Sequence, residues 1–338
     1  MWLASAPYRV AIAGGGSDVP QWCQHDPGAV FSFSLSQRIW VMAHASSSGK
    51  WLVRYRDVET ADDISQIRNQ IIREAVLHVH PQCPPLELSC HGEMPARNTG
   101  LGGSSAFTTA TVALLLAMQQ RSGSPDVVAS LAAEVEIGRL ERKMGCQEIV
   151  SSAWGGARLL RFGPGDGIDA GIHLSGSALG RFRQYVQECG RLVQVAPSDE
   201  DGPVFRDYSA NIKAIIRDRA ATKASVALAH SIYGDVAAGR PERIFEALRT
   251  GWSLKKMNHD TPRLPGEPTQ DGFALADFLT ARGFAAKLCG GGHTGFVFAC
   301  APDREQALGL EAACVELGLA CLPVDVSSAG ATARKLPA

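Results

Sequence analysis

The stretch Pro95-Ala96-Arg97-Asn98-Thr99-Gly100-Leu101-Gly102-Gly103-Ser104-Ser105-Ala106 carries the first decision about this chain. Its glycines let the backbone fold closely around an anion. The residues that follow, Ala106 to Gln120, are strong helix formers with a long apolar face, so the loop is expected to open a helix. The first N–H groups and the positive dipole end of that helix would face whatever the loop holds. A triphosphate fits this description, with Gly100, Leu101, Gly102, Gly103, Ser104 and Ser105 around it. Ser104 or Ser105 would offer a hydroxyl to the phosphates or to Mg2+, an ion that takes few protein ligands. The loop is not a Walker A motif, since no Gly-Lys-Ser/Thr follows. Taken alone, the same residues would also serve as a Gly/Ser turn that does no more than cap a helix.

Upstream, Tyr8 to Ala13 reads as a strand that ends in Gly14-Gly15-Gly16-Ser17-Asp18. Ala29 to Ala45 is β-rich, with Phe31, Phe33 and Leu35 alternating with serines. Asp62 and Asp63 would cap one helix that runs to Pro81, and Leu86 to Cys90 is a short strand. Downstream, Pro125-Asp126 starts a helix reaching about Lys143, Gly155-Gly156 turns the chain, and Leu159 to Phe162 is an apolar strand. The glycine-rich stretch Gly163 to Gly171 marks a boundary between two domains, residues 1–170 and 171–338. In the second, helices are expected over Leu179–Glu188, Phe205–Ile232, Pro241–Lys256, Phe273–Arg282 and Asp303–Leu317, with strands at Phe296–Cys300 and Ala320–Val326. The fold class is α+β.

Two further stretches carry chemistry. Lys287-Leu288-Cys289-Gly290-Gly291-Gly292-His293-Thr294-Gly295-Phe296 holds more glycine than a turn into a strand needs, which points to close approach to a ligand or to the first loop. His293 would donate to a phosphate or simply face solvent. In the N-terminal stretch, a carboxylate at the end of a strand, Asp18, is placed by a glycine turn to accept hydrogen bonds from a polyol, or else to cap local backbone N–H groups.

Composition excludes several other classes. With 33 Lys and Arg against 34 Asp and Glu there is no global basic field to drive nucleic-acid binding, so an anionic ligand needs a local device. The apolar run around Ala110 to Met118 is far short of the roughly 20 residues a membrane helix needs. Arg9 interrupts the first apolar segment, which runs into a glycine cluster rather than a signal-peptide layout, and a cytoplasmic address is expected. The nine cysteines are dispersed, without a CxxC pair, and predict reduced thiols rather than disulfides or a zinc site.

In this order and spacing the three stretches resemble the three signature motifs of the GHMP kinases. Gly103 stands in a slot that is often serine, and His293 and Thr294 stand where further glycines are common. Ala6-Pro7-Tyr8-Arg9 followed by Gly14 to Asp18 is similar to the sugar branch, the heptose 7-phosphate kinases and fucose-kinase-like proteins. So are Gly145-Cys146-Gln147-Glu148 and Trp252 with Lys255 and Lys256. The resemblance implies a ribosomal-protein-S5-like first domain, a ferredoxin-like second domain and ATP bound between them. It implies that Gly100 to Ser105 with Gly290, Gly291 and Gly292 hold ATP, and that Ser105 and Glu136 hold Mg2+. Asp18, Ser17, Gly16 and Gly291 would bind a sugar or sugar phosphate, while Arg9 and Glu148 would be catalytic. No nucleic acid or membrane partner is implied, and a homodimer is left open. Glu148 is the departure, for that branch usually has aspartate there, preceded by Lys-Gln, as the base that accepts the acceptor's proton. The extra methylene moves the carboxylate by about 1.5 Å, and displacements of about 1 Å can cost on the order of 10²-fold in rate.

Overall fold

A computed structural model describes residues 1–95, 99–164, 169–195, 209–258, 267–292 and 294–337. The strands of the larger sheet are β1 (Trp2–Ala13), β2 (Gly28–Ala45), β3 (Trp51–Arg54), β4 (Val58–Ala61), β5 (Leu86–Gly92), β6 (Ala157–Phe162), β7 (Ile172–His173) and β12 (Thr332–Lys335). Their order is β12-β1-β2-β5-β3-β4, with β6 also on β2 and β7 on β6. The long β2 changes partner along its length: Gly28 to Phe33 pair with β6 and Ile39 to Ala45 with β5. The smaller sheet is antiparallel, β11-β8-β10-β9, from β8 (Gly190–Gln194), β9 (Ala285–Leu288), β10 (Phe296–Cys300) and β11 (Cys321–Pro323). The two layouts are those of an α+β fold. The last strand returns to the first sheet, where β12 pairs β1 in antiparallel register from Trp2↔Lys335 to Ser5↔Thr332.

The helices among the described residues are α1 (Pro20–Cys23), α2 (Gln70–Val79), α3 (Gly103–Met118), α4 (Pro125–Ala133), α5 (Gln147–Trp154), α6 (Gly176–Cys189), α7 (Ser209–Arg217), α8 (Arg219–Ala237), α9 (Ile244–Met257), α10 (Gly272–Ala281) and α11 (Arg304–Glu316). Apart from Phe107, α3 is buried continuously from Ser105 to Leu116, as expected of a helix at the centre of a core rather than on a surface. Ala106, Ala110, Val112 and Leu114 to Leu116 pack there with Ile72, Val76, Leu88 and Val128. A second core joins the two sheets, with Phe33 edge-on to both Phe182 of α6 and Phe298 of β10. That shared core holds the second sheet against the first, and the cavity described below lies where they meet.

Three expected helices are divided. Asp63 accepts from Ser65 N at 2.8 Å and, with Gln66, closes a separate 3-10 turn over Ile64–Gln66, while Asn69 caps α2. The break is held by the Glu59 carboxylate, which accepts from the N–H groups of Arg68 (2.6 Å) and Asn69 (3.1 Å). The helix from Pro125 ends at Ala133 and passes into a π-helical turn, Glu134–Arg139. Of the helix expected over Phe205–Ile232, residues 205–208 lie outside the described ones, and the rest is two helices, since Asp218 caps α8 by accepting from Ala221 N at 3.0 Å. Capping carboxylates outcompete an uninterrupted apolar period in two of these cases.

Candidate active site

A cavity of about 810 Å³ is lined by Arg9, Gly16, Asp18, Gly100, Gly102, Gly103, Ser104, Glu148, Lys255, Lys287 and Gly290 to Gly292, among others. The first glycine loop forms its floor. Gly102, at φ +75°, is the N-cap of α3, and no side chain caps the helix, so the leading amides of α3 are left to a ligand. The second glycine loop abuts the first. A Cβ on Gly100 would stand 2.2 Å from the Cys289 carbonyl oxygen, and one on Gly290 would stand 2.6 Å from Gly100 Cα. Phe296 N donates to Thr99 O at 3.0 Å, which ties the loops together. Arg97 and His293 lie outside the described residues.

Arg9 is drawn to this junction by β1. The β1–β2 register slips between Pro7 and Arg9, an irregularity of the kind that re-aims a side chain beside a site. Arg9 is buried, at 2% exposure. Its N–H donates to Leu101 O at 3.0 Å, its Nη1 to Gly100 O at 2.7 Å, and its Nη2 to a carboxylate oxygen of Glu148 in the first turn of α5. Arg9 therefore fixes the glycine loop and the Glu148 carboxylate with one guanidinium. The other Glu148 oxygen accepts from Ser105 Oγ at 3.5 Å.

Below the floor, Glu136 is fully buried. Its Oε2 accepts from Ser105 Oγ at 3.4 Å and is ion-paired with Arg142, which also donates to Ser104 Oγ at 3.1 Å. Its Oε1 is buried without a partner. Burial raises the Glu136 carboxyl above the usual range, opposed by Arg142. An orphaned carboxylate oxygen beside a serine hydroxyl fits Mg2+, a hard cation that prefers oxygen and takes few protein ligands. The wider π turn departs from the 3.6-residue period and buries both Val135 and Glu136.

Asp18 lines the same cavity, 5% exposed. Its Oδ1 accepts from Gly16 N at 3.2 Å and Gln147 Nε2 at 3.0 Å, and its Oδ2 from Gln147 N at 3.1 Å at the start of α5. Burial raises its carboxyl, and these donors oppose the rise. Ser17 faces the other way: its hydroxyl donates to Gly14 O at 2.7 Å and accepts from Ala29 N at 3.1 Å, with no exposed surface. Leu101 is likewise in the core, and only its main chain serves the loop. Gly145 lets Asp18 approach α5, since a Cβ there would lie 2.0 Å from Asp18 Oδ2. Gly145→Ala is therefore expected to push the Asp18 carboxylate off α5 and to lower stability by about 1–3 kcal/mol, measured by thermal unfolding.

Sequence reasoning assigned no role to Arg142 or Lys287. Arg142 reaches Glu136 and Ser104 only through the π turn, for which the sequence carries no signal. Lys287 stands at the start of the second glycine stretch, and in the fold it donates to Ala11 O and Ile12 O, both at 3.0 Å.

No helix among the described residues is long and apolar enough to cross a membrane. Residues 69–156 match the family model of the GHMP kinases N terminal domain. No curated protein sequence matches the chain. Among solved structures, a D-glycero-D-manno-heptose 1-phosphate kinase from Bacteriodes thetaiotaomicron is similar over 100% of both chains, at 17% identity and a TM-score of 0.80. Streptococcus pneumoniae phosphomevalonate kinase in complex with phosphomevalonate and AMPPNP is similar over 97% of this chain and 100% of that one, at 16% identity and a TM-score of 0.74. Lactococcus lactis galactokinase complexed with galactose is similar over 98% and 94%, at 12% identity and a TM-score of 0.72. At these identities the likenesses speak for the fold. Residues 69–156 thus match the GHMP kinases N-terminal domain, and the chain over its whole length has the fold of the kinases named above.

Proposed function

We propose that this protein transfers the γ-phosphoryl group of ATP to a hydroxyl of a sugar or sugar phosphate, at the anomeric carbon. The observation that carries the reading is the Arg9–Glu148 pair: a carboxylate held beside the start of α3, with Asp18 on the same cavity wall. Glu148 accepts the proton of the acceptor hydroxyl as its oxygen bonds to phosphorus and the bond to the ADP oxygen breaks. Arg9 keeps that carboxylate and the Gly100 carbonyl in place, so the reacting groups meet in a fixed geometry. Asp18 accepts hydrogen bonds from the acceptor's hydroxyls, and the amides at the start of α3, with Gly102, Gly103 and Ser104, hold the phosphates. Ser105 and Glu136 would hold Mg2+, which offsets negative charge on the phosphates when bound.

The heptose and galactose kinases among the similar structures support a sugar acceptor, and the glycine turn that presents Asp18 favours it over a simple alcohol or amino acid. The test is coupled ADP release with Mg-ATP against heptose 7-phosphates, fucose, galactose and mannose, with the product's phosphate located by phosphorus NMR. A phosphate on the anomeric carbon is the expected result. ADP release no greater with any aldose or aldose phosphate than without one, from protein that still binds AMPPNP, would overturn the sugar reading.

A further inference from the structure

Two ammonium groups in the cavity wall have no carboxylate partner among the described residues. Lys255 of α9 donates to Leu288 O at 2.6 Å and to Gly290 O. Lys287 of β9, 9% exposed, donates to Ala11 O and Ile12 O at 3.0 Å each. Among the described residues, the titratable groups facing the pair, besides each other, are Arg9 of β1 and the Cys289 thiol of the second glycine loop. Arg9 already has its counter-charge in Glu148. Main-chain carbonyls orient the two ammoniums but do not neutralise them, and unpaired charges at this depth are costly. Burial, then Lys287, holds Lys255 down to about 7, and burial holds Lys287 down to about 8. Such a pair suits a ligand that brings two negative charges into the cavity.

We propose that Lys255 and Lys287 form a seat for a phosphate dianion, either the terminal phosphate of the nucleotide or a phosphate carried by the acceptor, and that filling it draws protons onto the pair. Only the naming of these two sources rests on the kinase reading; the seat itself rests on the lysines. The sign follows from linkage. A bound dianion favours the charged lysines, so below about pH 7 both are already charged and the dianion form itself is held most tightly. As pH rises past 7 and 8, binding needs proton uptake and weakens.

The test is calorimetric titration of the full chain with inorganic phosphate at about pH 8, in two buffers of different ionisation enthalpy. Buffer-dependent heat, showing proton uptake, is expected for the unaltered protein. Lys255→Met and Lys287→Met are each expected to weaken phosphate about tenfold or more. Lys255→Arg and Lys287→Arg, which keep the charge at every pH in this range, are expected to bind phosphate while the uptake falls. The arginine variants decide the matter if a methionine variant fails to fold. Heat independent of buffer, or methionine variants that bind as tightly as the unaltered protein, would overturn the seat. Repeating the titration with saturating AMPPNP separates the sources: phosphate binding that survives assigns the seat to the acceptor, and binding that disappears assigns it to the nucleotide. Failure of AMPPNP to bind at all would sink the kinase reading and leave the phosphate result standing.

Discussion

Glu148→Gln is expected to lower kcat by about 10²- to 10⁴-fold, the usual worth of a positioned acid–base group, with AMPPNP affinity nearly unchanged. The amide oxygen of glutamine still accepts from Arg9, so the pair's geometry survives while the proton acceptor is lost. The buried Arg9 guanidinium loses its counter-charge, at a cost of about 3–5 kcal/mol, so the melting temperature should fall by several degrees while the fold is kept. Glu148→Asp is the sharper variant. Arg9 is anchored at its other end to Gly100 O at 2.7 Å, and aspartate is too short by about 1.5 Å to meet both Arg9 and an acceptor placed for glutamate. Its expected loss is on the order of 10²-fold in kcat. Single-turnover kinetics with the best acceptor of the panel measure both variants. If Glu148→Asp raises kcat instead, the native carboxylate is misplaced and the protein is a binder with impaired turnover. If Glu148→Gln keeps full kcat, positioning alone drives the transfer and Glu148 is no base.

Gly100→Ala is expected to cost nucleotide affinity at least 10²-fold and to destabilise the fold by about 2–5 kcal/mol, from left-handed strain and overpacking together. Two separate effects meet at this residue. Its φ of +71° is a conformation side chains rarely adopt, and its Cβ would fall 2.2 Å from the Cys289 carbonyl oxygen, a backbone atom that cannot turn aside. The two loops must part, and the gap opens where the phosphates would sit. Gly49 supplies the control: its φ is also +71°, yet nothing lies within 4 Å of a Cβ there. Gly49→Ala should therefore cost only the conformational strain, about 1 kcal/mol, with no change in AMPPNP binding. Thermal unfolding and calorimetric titration of the two variants side by side make the comparison. Equal losses of stability would mean that the contact between the loops contributes nothing.

Much of the architecture was legible because it is written in local chemistry. The strand that became β1, the β-rich run of β2, the glycine loop opening α3 and the apolar β10 follow from period-2 alternation, glycine turns and helix formers acting over a few residues. β10, Phe296–Cys300, lies at the residues expected of it. Shorter strands escaped. β3 and β4 are four residues each and β12 is held by pairing with Trp2 to Ser5 at the opposite end of the chain, an energy no local window contains. Carboxylates such as Glu59 and Asp218 divided helices whose apolar period ran on without a break, because a cap satisfies backbone donors that the period cannot see.

The candidate site divides along the same line. From sequence alone it followed that the chain has two glycine loops, the first opening a helix, and a carboxylate on a glycine turn, since glycine content, helix onset and residue type are local properties. Only the tertiary structure decided that the loops touch each other at Gly100 and Gly290. It also decided that Arg9 binds Glu148 across 139 positions of chain, and that Ser17 turns inward while Asp18 lines the cavity. The burial of Glu136 with one oxygen unpartnered, and the placing of Lys255 and Lys287 on main-chain carbonyls, were decided there as well. The physical reason is desolvation: what a charged side chain does depends on which neighbours replace its water, and those neighbours come from remote segments that only the folded chain brings together.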